Sequence, residues 1–239
     1  MNIVIGLIIA ALAASSGYLF GNTESGSKSV VSSDTRNDGQ TVAASDYLSL
    51  RPYIAATASE DLSESERAGL LFMREEEKLA RDVYLTLFED TALPIFENIA
   101  QSEQTHTEAV RALLVKYDIV DPAEDAIGQF KDPTLAQLYM ELIERGSKSE
   151  SDALAVGAYI EDLDLYDLEV RLSETDNEDI RTVYENLARG SRNHLRAFVR
   201  NIERRGETYE PTHITKEQYA AIIGSPQEKG GAGRGWGNR

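Results

Sequence analysis

The chain has 239 residues, with 24 Lys and Arg against 41 Asp and Glu, three His and no Cys. The formal net charge of -17 argues against a general nucleic-acid binder, because phosphate contacts need clustered Lys and Arg. It also disfavours electrostatic docking on anionic lipid and favours cationic partners, metal ions included. The lack of Cys excludes disulfides, thiolate metal sites and cysteine nucleophiles.

The first segment, residues 1–20, is predicted to be a signal peptide or a membrane anchor. Residues 3–20 carry no charge and are just long enough to span a bilayer. Residues 11–13, Ala-Leu-Ala, have the form of a signal-peptidase site, but no basic residue precedes Lys28. A cleaved signal and an uncleaved anchor both stay open, and a buried N-terminal helix is the remaining alternative. The first two predict an extracytoplasmic protein that is secreted, periplasmic or tethered to the membrane.

The composition then divides the chain into three parts. Residues 21–46 are rich in Gly, Ser, Thr, Asn and Asp, which cannot bury enough apolar surface to fold, and are predicted to be a flexible linker. Residues 224–239 are predicted to be a Gly-rich flexible tail. Residues 47–223 lie between them and are predicted to form one all-α domain.

Long runs of Glu, Ala, Leu and Arg predict helices within this domain. The first begins with a capping box of Ser63 and Glu66, and Pro94 marks the start of the second. Two long pairs of helices joined by a longer crossover, which contains a short helix, outline a four-helix bundle. The predicted helices cover about residues 63–90, 94–117, 132–146, 149–172, 177–205 and 216–223.

Each of the four long helices has an apolar stripe that is interrupted near its middle by residues able to bind a metal. Because an unpaired carboxylate in an apolar core costs several kcal/mol, such groups need partners or a metal ion. Three carboxylates and two imidazoles in one layer would balance two divalent cations, and such ligands suit iron or manganese. The interrupting residues are Glu77, Glu103 and His106, Glu161, and His194.

A structural alternative is that these five residues only satisfy other side chains in a buried polar network. The candidate partners are Arg81, Arg171 and Tyr84. Outside the predicted site, Glu75 and Glu76 are expected to be solvated, and His213 is expected to be exposed.

Two motifs support a resemblance to known proteins. Residues 77–84 resemble the first-helix Glu-x-x-Ala-Arg-x-x-Tyr signature of rubrerythrin-type ferritin-like proteins, and residues 103–106 resemble their second-helix Glu-x-x-His. More closely, the chain resembles an uncharacterised ferritin-like family, the domain of unknown function 2202 (DUF2202). Residues 74–84 and 190–198 carry that resemblance, which implies a ferritin-like four-helix bundle but no known reaction.

The resemblance also implies a role for each predicted ligand. Glu77 would be a terminal ligand of one ion, which His106 would also bind, and Glu103 would bridge both ions. Glu161 and His194 would bind the second ion.

The chain departs from this pattern at Ser191, where the resemblance predicts a Glu three residues before His194. One bridging carboxylate is therefore missing, and Asp164 is a candidate replacement. A single-metal site remains an alternative to a dinuclear one.

By analogy, a dinuclear iron site would react with peroxide or oxygen, and Tyr84 would either pass an electron or serve as a core tyrosine. Enzymatic activity stays open. The alternatives are a metal-sequestering or sensing surface module without turnover and a helical interaction scaffold with a degraded metal site. Metal ions are the predicted partners, and a homodimer stays open. Nucleic acid is not expected to bind. Membrane contact is expected only through an uncleaved N-terminal segment.

Overall fold

A computed structural model describes residues 50–57 and 60–229. Within those ranges every regular element is a helix, as predicted. The predicted leader (1–20), the predicted linker (21–46) and positions 230–239 of the predicted tail lie outside the described residues. No helix in the described ranges is long and apolar enough to cross a membrane.

Six helices follow a short helical segment at residues 50–56. Their ends agree with the predicted ones to within two residues, because caps and apolar periodicity are local signals. The six are α1 (Glu64–Thr91), α2 (Pro94–Lys116), α3 (Pro133–Gly146), α4 (Glu150–Glu174), α5 (Glu178–Glu203) and α6 (Lys216–Ile223).

Local chemistry sets the ends of the first two helices. The side chain of Ser63 accepts a hydrogen bond from the backbone of Glu66, and the Glu66 carboxylate accepts one from the backbone of Ser63, which completes the capping box. Ala92 caps the C-terminus of α1 with a left-handed backbone, whose φ is 53°, and Pro94 begins α2. The connection is so short that α2 must run back along α1.

The four long helices α1, α2, α4 and α5 pack as a bundle. Helix α1 packs along α2, and α4 packs along α5; the two pairs meet through α1–α4 and α2–α5 contacts. Glu66 contacts Thr175 at one end of the bundle and Tyr84 contacts Gly157 towards the other, so α1 and α4 are antiparallel. Helices α2 and α4 are therefore parallel, and the crossover that contains α3 connects them.

An aromatic cluster fills one end of the core. The ring centroids of Tyr84, Phe96 and Phe198 lie between 5.4 and 6.0 Å apart. Gly157 lets α4 approach this cluster, because a Cβ atom there would lie 2.3 Å from Cε1 of Phe198. Full burial of each such side chain contributes roughly 1.5–3 kcal/mol. The cluster closes the bundle on one side of its middle level.

The prediction that Glu75 and Glu76 are solvated is wrong. Each is only 4% exposed. The Glu75 carboxylate accepts hydrogen bonds from the backbone of Lys131 and Asp132 just before α3. Lys78 donates to two carbonyl groups of the same crossover. The crossover therefore lies against α1 and covers side chains that an isolated helix would expose.

The segment after α5 folds back onto α4. The buried carboxylate of Asp162 accepts hydrogen bonds from the Tyr209 hydroxyl and from the backbone N–H groups of residues 212–214. This contact holds His213 against the ring of Tyr159, with 5.0 Å between the ring centroids. His213 is therefore half-buried, and the prediction that it is exposed is wrong.

The predicted tail begins against α5. Glu228 pairs with Arg192 at 2.6 Å and with Arg196 at 2.9 Å. Its backbone N–H also donates to the side chain of Asn193. The described part of the predicted tail, residues 224–229, therefore contacts α5.

Candidate metal centre

The structure brings all five predicted ligands to one level of the bundle core. Helix α2 contributes two of them, and α1, α4 and α5 contribute one each. They form two groups, and within each group the ligand atoms lie within 4.8 Å of one another. The groups share Glu103; they are Glu77, Glu103 and His106, and Glu103, Glu161 and His194.

The first group is built from α1 and α2. Nδ1 of His106 lies 2.7 Å from Oε2 of Glu103 and 3.2 Å from Oε2 of Glu77. Glu103 and His106 are three residues apart on α2, so both face the same point. The side chains are between 2% and 9% exposed. One imidazole and two carboxylates around one buried point form a ligand set that suits a divalent cation.

The second group adds α4 and α5. Nδ1 of His194 lies 2.8 Å from Oε1 of Glu103 and 3.5 Å from Oε2 of Glu161. The other ring nitrogen, Nε2, lies 2.9 Å from Oγ of Ser102. Because Ser102 engages Nε2, Nδ1 is left to face the carboxylates. The two imidazole rings of the centre stack with their centroids 5.6 Å apart.

Several ligand atoms in this layer have no hydrogen-bond partner among the described residues. They are Oε1 of Glu77, Oε1 of Glu103 and Nδ1 of His194. The short contact between Glu103 and His194 is therefore not aligned as a hydrogen bond. Buried polar atoms without partners are rare in proteins, and an ion is a standard reason for a cluster of them.

Without a cation, bound protons balance the negative charges of the carboxylates in this layer. Burial raises the pKa of Glu77 to about 7, although His106 acts to lower it. Burial would raise the pKa of Glu103 as well, but the two imidazoles outweigh burial and lower it below its usual range. Burial alone would lower the pKa of His194, yet Glu103 and Glu161 raise it to about 9. The imidazoles therefore carry protons that a metal ion would displace.

Ser191 occupies the position where a second bridging carboxylate was predicted. Its hydroxyl donates a hydrogen bond to Oδ2 of Asp164 on α4. The other oxygen of Asp164 has no hydrogen-bond partner among the described residues. Burial and the nearby Glu77 carboxylate raise the pKa of Asp164 well above its usual value. Asp164 therefore faces the layer, although it belongs to neither ligand group.

Tyr84 lies directly beside the second group. Its hydroxyl donates a 2.6 Å hydrogen bond to Oε1 of Glu161. The other two donors of the predicted polar network are used elsewhere: Arg81 donates to a neighbouring carboxylate of α1, and Arg171 to one of α4. Of the three candidate donors, Tyr84 is thus the one that contacts a predicted ligand.

The family of this chain follows from its sequence. A sequence model of the family described as "Uncharacterized protein domain (DUF2202)" matches residues 66–226, a range that includes all five predicted ligands. The chain belongs to this family.

The chain is also similar to an uncharacterised protein of Methanocaldococcus jannaschii, MJ0754. The two are 57% identical over 179 residues, which is 74% of this chain and 97% of that protein. A crystal structure of the hypothetical protein MJ0754 matches with a TM-score of 0.72, and the match covers 72% of this chain and 99% of that one. Neither description states an activity.

Two residues of this DUF2202 domain support the ligands and were missed from the sequence. Ser102 contacts His194, and Gly190 lies against the ring of His106. A Cβ atom at Gly190 would lie 2.5 Å from both Cε1 and Nε2 of that ring, so the close approach requires glycine. A glycine inside a helix costs about 1 kcal/mol relative to alanine, and this was a signal that could have indicated Gly190. Ser102 carries no comparable signal.

Proposed function

We propose that this chain is an exported ferritin-like protein that binds one or two metal ions, iron or manganese, in the core of its bundle. One observation carries the proposal: two buried ligand groups share Glu103, and ligand atoms in both have no hydrogen-bond partner among the described residues. The four ligand-bearing helices and their long crossover support the ferritin-like assignment. Carboxylate and imidazole ligands support iron or manganese.

The residues have separate tasks in this proposal. Bound iron would supply one-electron redox chemistry towards oxygen or peroxide. Tyr84 orients Glu161 by its hydrogen bond, and Ser102 orients His194. The aromatic cluster keeps water from one side of the layer. One ion would be held by Glu77, Glu103 and His106, and the other by Glu103, Glu161 and His194.

A second candidate function is metal sequestration or sensing without turnover. Ser191 provides no carboxylate, and its hydroxyl is used by Asp164. Five protein ligands therefore serve both ligand groups, because each group has three and Glu103 belongs to both. A weakly held second ion favours storage or sensing of metal over a reaction that needs two ions.

Elemental analysis of the full-length protein tests metal binding. The protein would be measured as purified and after anaerobic loading with ferrous iron or Mn²⁺, beside Glu103→Gln, which removes the shared ligand. Glu108→Gln on the same helix changes the charge equally but lies outside the centre. About two ions per chain, lost in Glu103→Gln alone, indicate a dinuclear centre; about one favours sequestration or sensing. If the unmodified protein contains no more metal than Glu103→Gln, the proposal is contradicted and a helical interaction scaffold remains.

Turnover needs a separate assay. Consumption of peroxide or oxygen by the iron-loaded protein, and not by Glu103→Gln, would indicate an enzyme. Binding of two ions without consumption of either oxidant would favour the second candidate function.

The proposal of export depends on the uncharged stretch at residues 3–20. Mass spectrometry of the N-terminus of protein recovered from cell fractions tests it. A start shortly after residue 13 would indicate a cleaved signal, and an intact start in the membrane fraction would indicate an anchor. An intact start in the soluble cytoplasmic fraction would contradict export.

A further inference from the structure

The interface between α1 and α4 contains a row of acidic side chains that the ligand groups do not include. We call Asp167, Glu76 and Asp164 the acidic column. Asp164 and Asp167 lie on successive turns of α4 beyond Glu161, and Glu76 approaches them from α1. Asp167 is half-buried, whereas the other two are buried. The column therefore leads from the partly exposed side of the bundle to its polar layer.

Glu76 links the two ends of the column. Its carboxyl group and that of Asp167 are close enough to share a proton. The neighbouring charges that act most on Glu76 are those of Asp167 and Asp164, followed by Glu77, and all of them are negative. Asp164 in turn interacts most strongly with Glu77, a predicted metal ligand. The carboxylates thus follow one another along the interface between α1 and α4.

Buried carboxylates elsewhere in the described part of the chain have hydrogen-bond donors. Some accept from backbone N–H groups, and others from Lys, Arg, Thr, Asn or Tyr side chains. Neither oxygen of Glu76 accepts from a backbone N–H group or from a Lys, Arg, Thr, Asn or Tyr side chain among the described residues, and Oδ1 of Asp164 has no hydrogen-bond partner there either. The satisfied carboxylates are Glu66, Glu75, Asp82, Asp162 and Asp179.

This contrast points to a mobile cation as the partner of Glu76, in place of the proton that Glu76 shares with Asp167 when no cation is present. A buried carboxylate without a donor costs free energy, and among the described residues the fold avoids that cost outside the ligand groups and the acidic column. A permanent hydrogen-bond donor would occupy the carboxylate and compete with a passing cation. Carboxylates without such donors lower the barrier for a partly dehydrated cation that crosses the protein interior. Burial raises the pKa of Asp167 at the outer end, although Arg171 and His213 act to lower it. Arg171 is also held by Glu174 at 2.8 Å.

We propose that the acidic column is the route by which divalent cations enter the centre, with Asp167 as the outer contact and Glu76 as the transit ligand. This inference depends on the proposed function, because a route needs a metal centre at its inner end. It predicts that Glu76 governs the rate of metal uptake and leaves the final metal content unchanged.

Stopped-flow loading of the metal-free full-length protein with Co²⁺, followed by the visible absorption of the bound ion, tests the route. Glu76→Gln keeps the size of the side chain and removes the carboxylate that would bind a cation. We expect the rate of uptake to fall by about tenfold or more. The final Co²⁺ per chain and the equilibrium Kd should match the unmodified protein. The matched control is Glu89→Gln, which removes an exposed charge from the same helix.

Asp167→Asn, at the half-buried end of the column, provides a second variant if Glu76→Gln is poorly folded by circular dichroism. Slower uptake with unchanged final Co²⁺ is again the expected result. An unchanged rate in either folded variant, with full Co²⁺ content, overturns the route and leaves the proposed function intact. A weaker equilibrium Kd in Glu76→Gln also overturns it, because Glu76 would then be a resident ligand. No uptake by the unmodified protein contradicts the metal centre itself, and the route with it.

Discussion

The hydroxyl of Ser102 lies 2.9 Å from Nε2 of His194, so a side chain on α2 holds the imidazole that α5 contributes to the centre. The contact engages one ring nitrogen and turns the other towards Glu103 and Glu161. It therefore couples the orientation of a ligand to the packing of two helices that are far apart in the sequence.

Ser102→Ala should weaken binding at the second ligand group and spare the first. Loss of a residue that orients a ligand costs about 10–100-fold in metal affinity. Isothermal titration of the metal-free protein with Mn²⁺ would resolve the two binding steps. Thr105→Ala, a half-buried position on the same helix that belongs to neither ligand group, is the control and should behave like the unmodified protein. An equal loss at both steps, or no loss, would contradict the assigned role of Ser102.

Gly190→Ala should displace the ring of His106 and weaken the first ligand group. Alanine favours a helix by about 1 kcal/mol over glycine, so helix propensity alone predicts a more stable protein. The added Cβ would lie 2.5 Å from two atoms of the imidazole ring. We expect overpacking to dominate, with a loss of about 1–3 kcal/mol in the free energy of unfolding.

Gly157→Ala is the matched control for this substitution. Its Cβ would meet Phe198 at 2.3 Å, so it should destabilise the fold without touching a predicted ligand. Chemical denaturation measures the stability of both variants, and titration with Mn²⁺ measures binding. Equal loss of metal binding in both would mean that general destabilisation, and not displacement of His106, is the cause.

The stability of the metal-free protein should fall as the pH rises from about 5 to 9. The folded-state pKa of Glu77 is raised to about 7 and that of His194 to about 9. In this range the folded state binds more protons than the unfolded state, so deprotonation removes stability. Bound metal replaces those protons, and its affinity rises with pH.

The increase in Tm on metal loading should therefore grow between pH 5.5 and pH 9. Differential scanning calorimetry of the metal-free and loaded protein across this range measures it. In Glu103→Gln, which lacks the shared ligand, the increase should be small at every pH. An increase that shrinks with rising pH would contradict the assigned protonation of the centre.

Glu66 should stabilise the end of the bundle where α4 turns into α5. Burial alone would raise its pKa, but hydrogen bonds from Thr175, Ser63 and Asn177 outweigh burial and lower the pKa to about 2. Because the folded-state pKa is depressed, this contribution is present above pH 4.5 and disappears as the pH falls towards 2.

Glu66→Ala should reduce the free energy of unfolding at pH 7 by about 1–3 kcal/mol, since it leaves buried donors unsatisfied. The difference from the unmodified protein should shrink at pH 2.5. Urea denaturation at both values measures it, with Glu89→Ala as an exposed control on the same helix. A difference that does not depend on pH would mean that the charge of Glu66 contributes nothing.

Much of the fold could be read from the sequence because its signals are local. The capping box of Ser63 and Glu66, the proline at position 94 and the period of the apolar residues act within a few positions along the chain. The same period places Glu77, Glu103, His106, Glu161 and His194 on the buried stripes of their helices. Their convergence follows once the four stripes face a common core.

Only the tertiary structure decided what meets each side chain from another part of the chain. Glu75 and Glu76 look solvated in an isolated helix, yet the crossover covers the first and α4 meets the second. Ser191 looks like a lost ligand, yet its hydroxyl donates to Asp164 across the helix interface. The helical period determines the direction in which a side chain points from the axis of its helix. The residue that this side chain meets depends on how the neighbouring helix is rotated and how closely it approaches. Those are set by packing over the whole core, which no local pattern encodes.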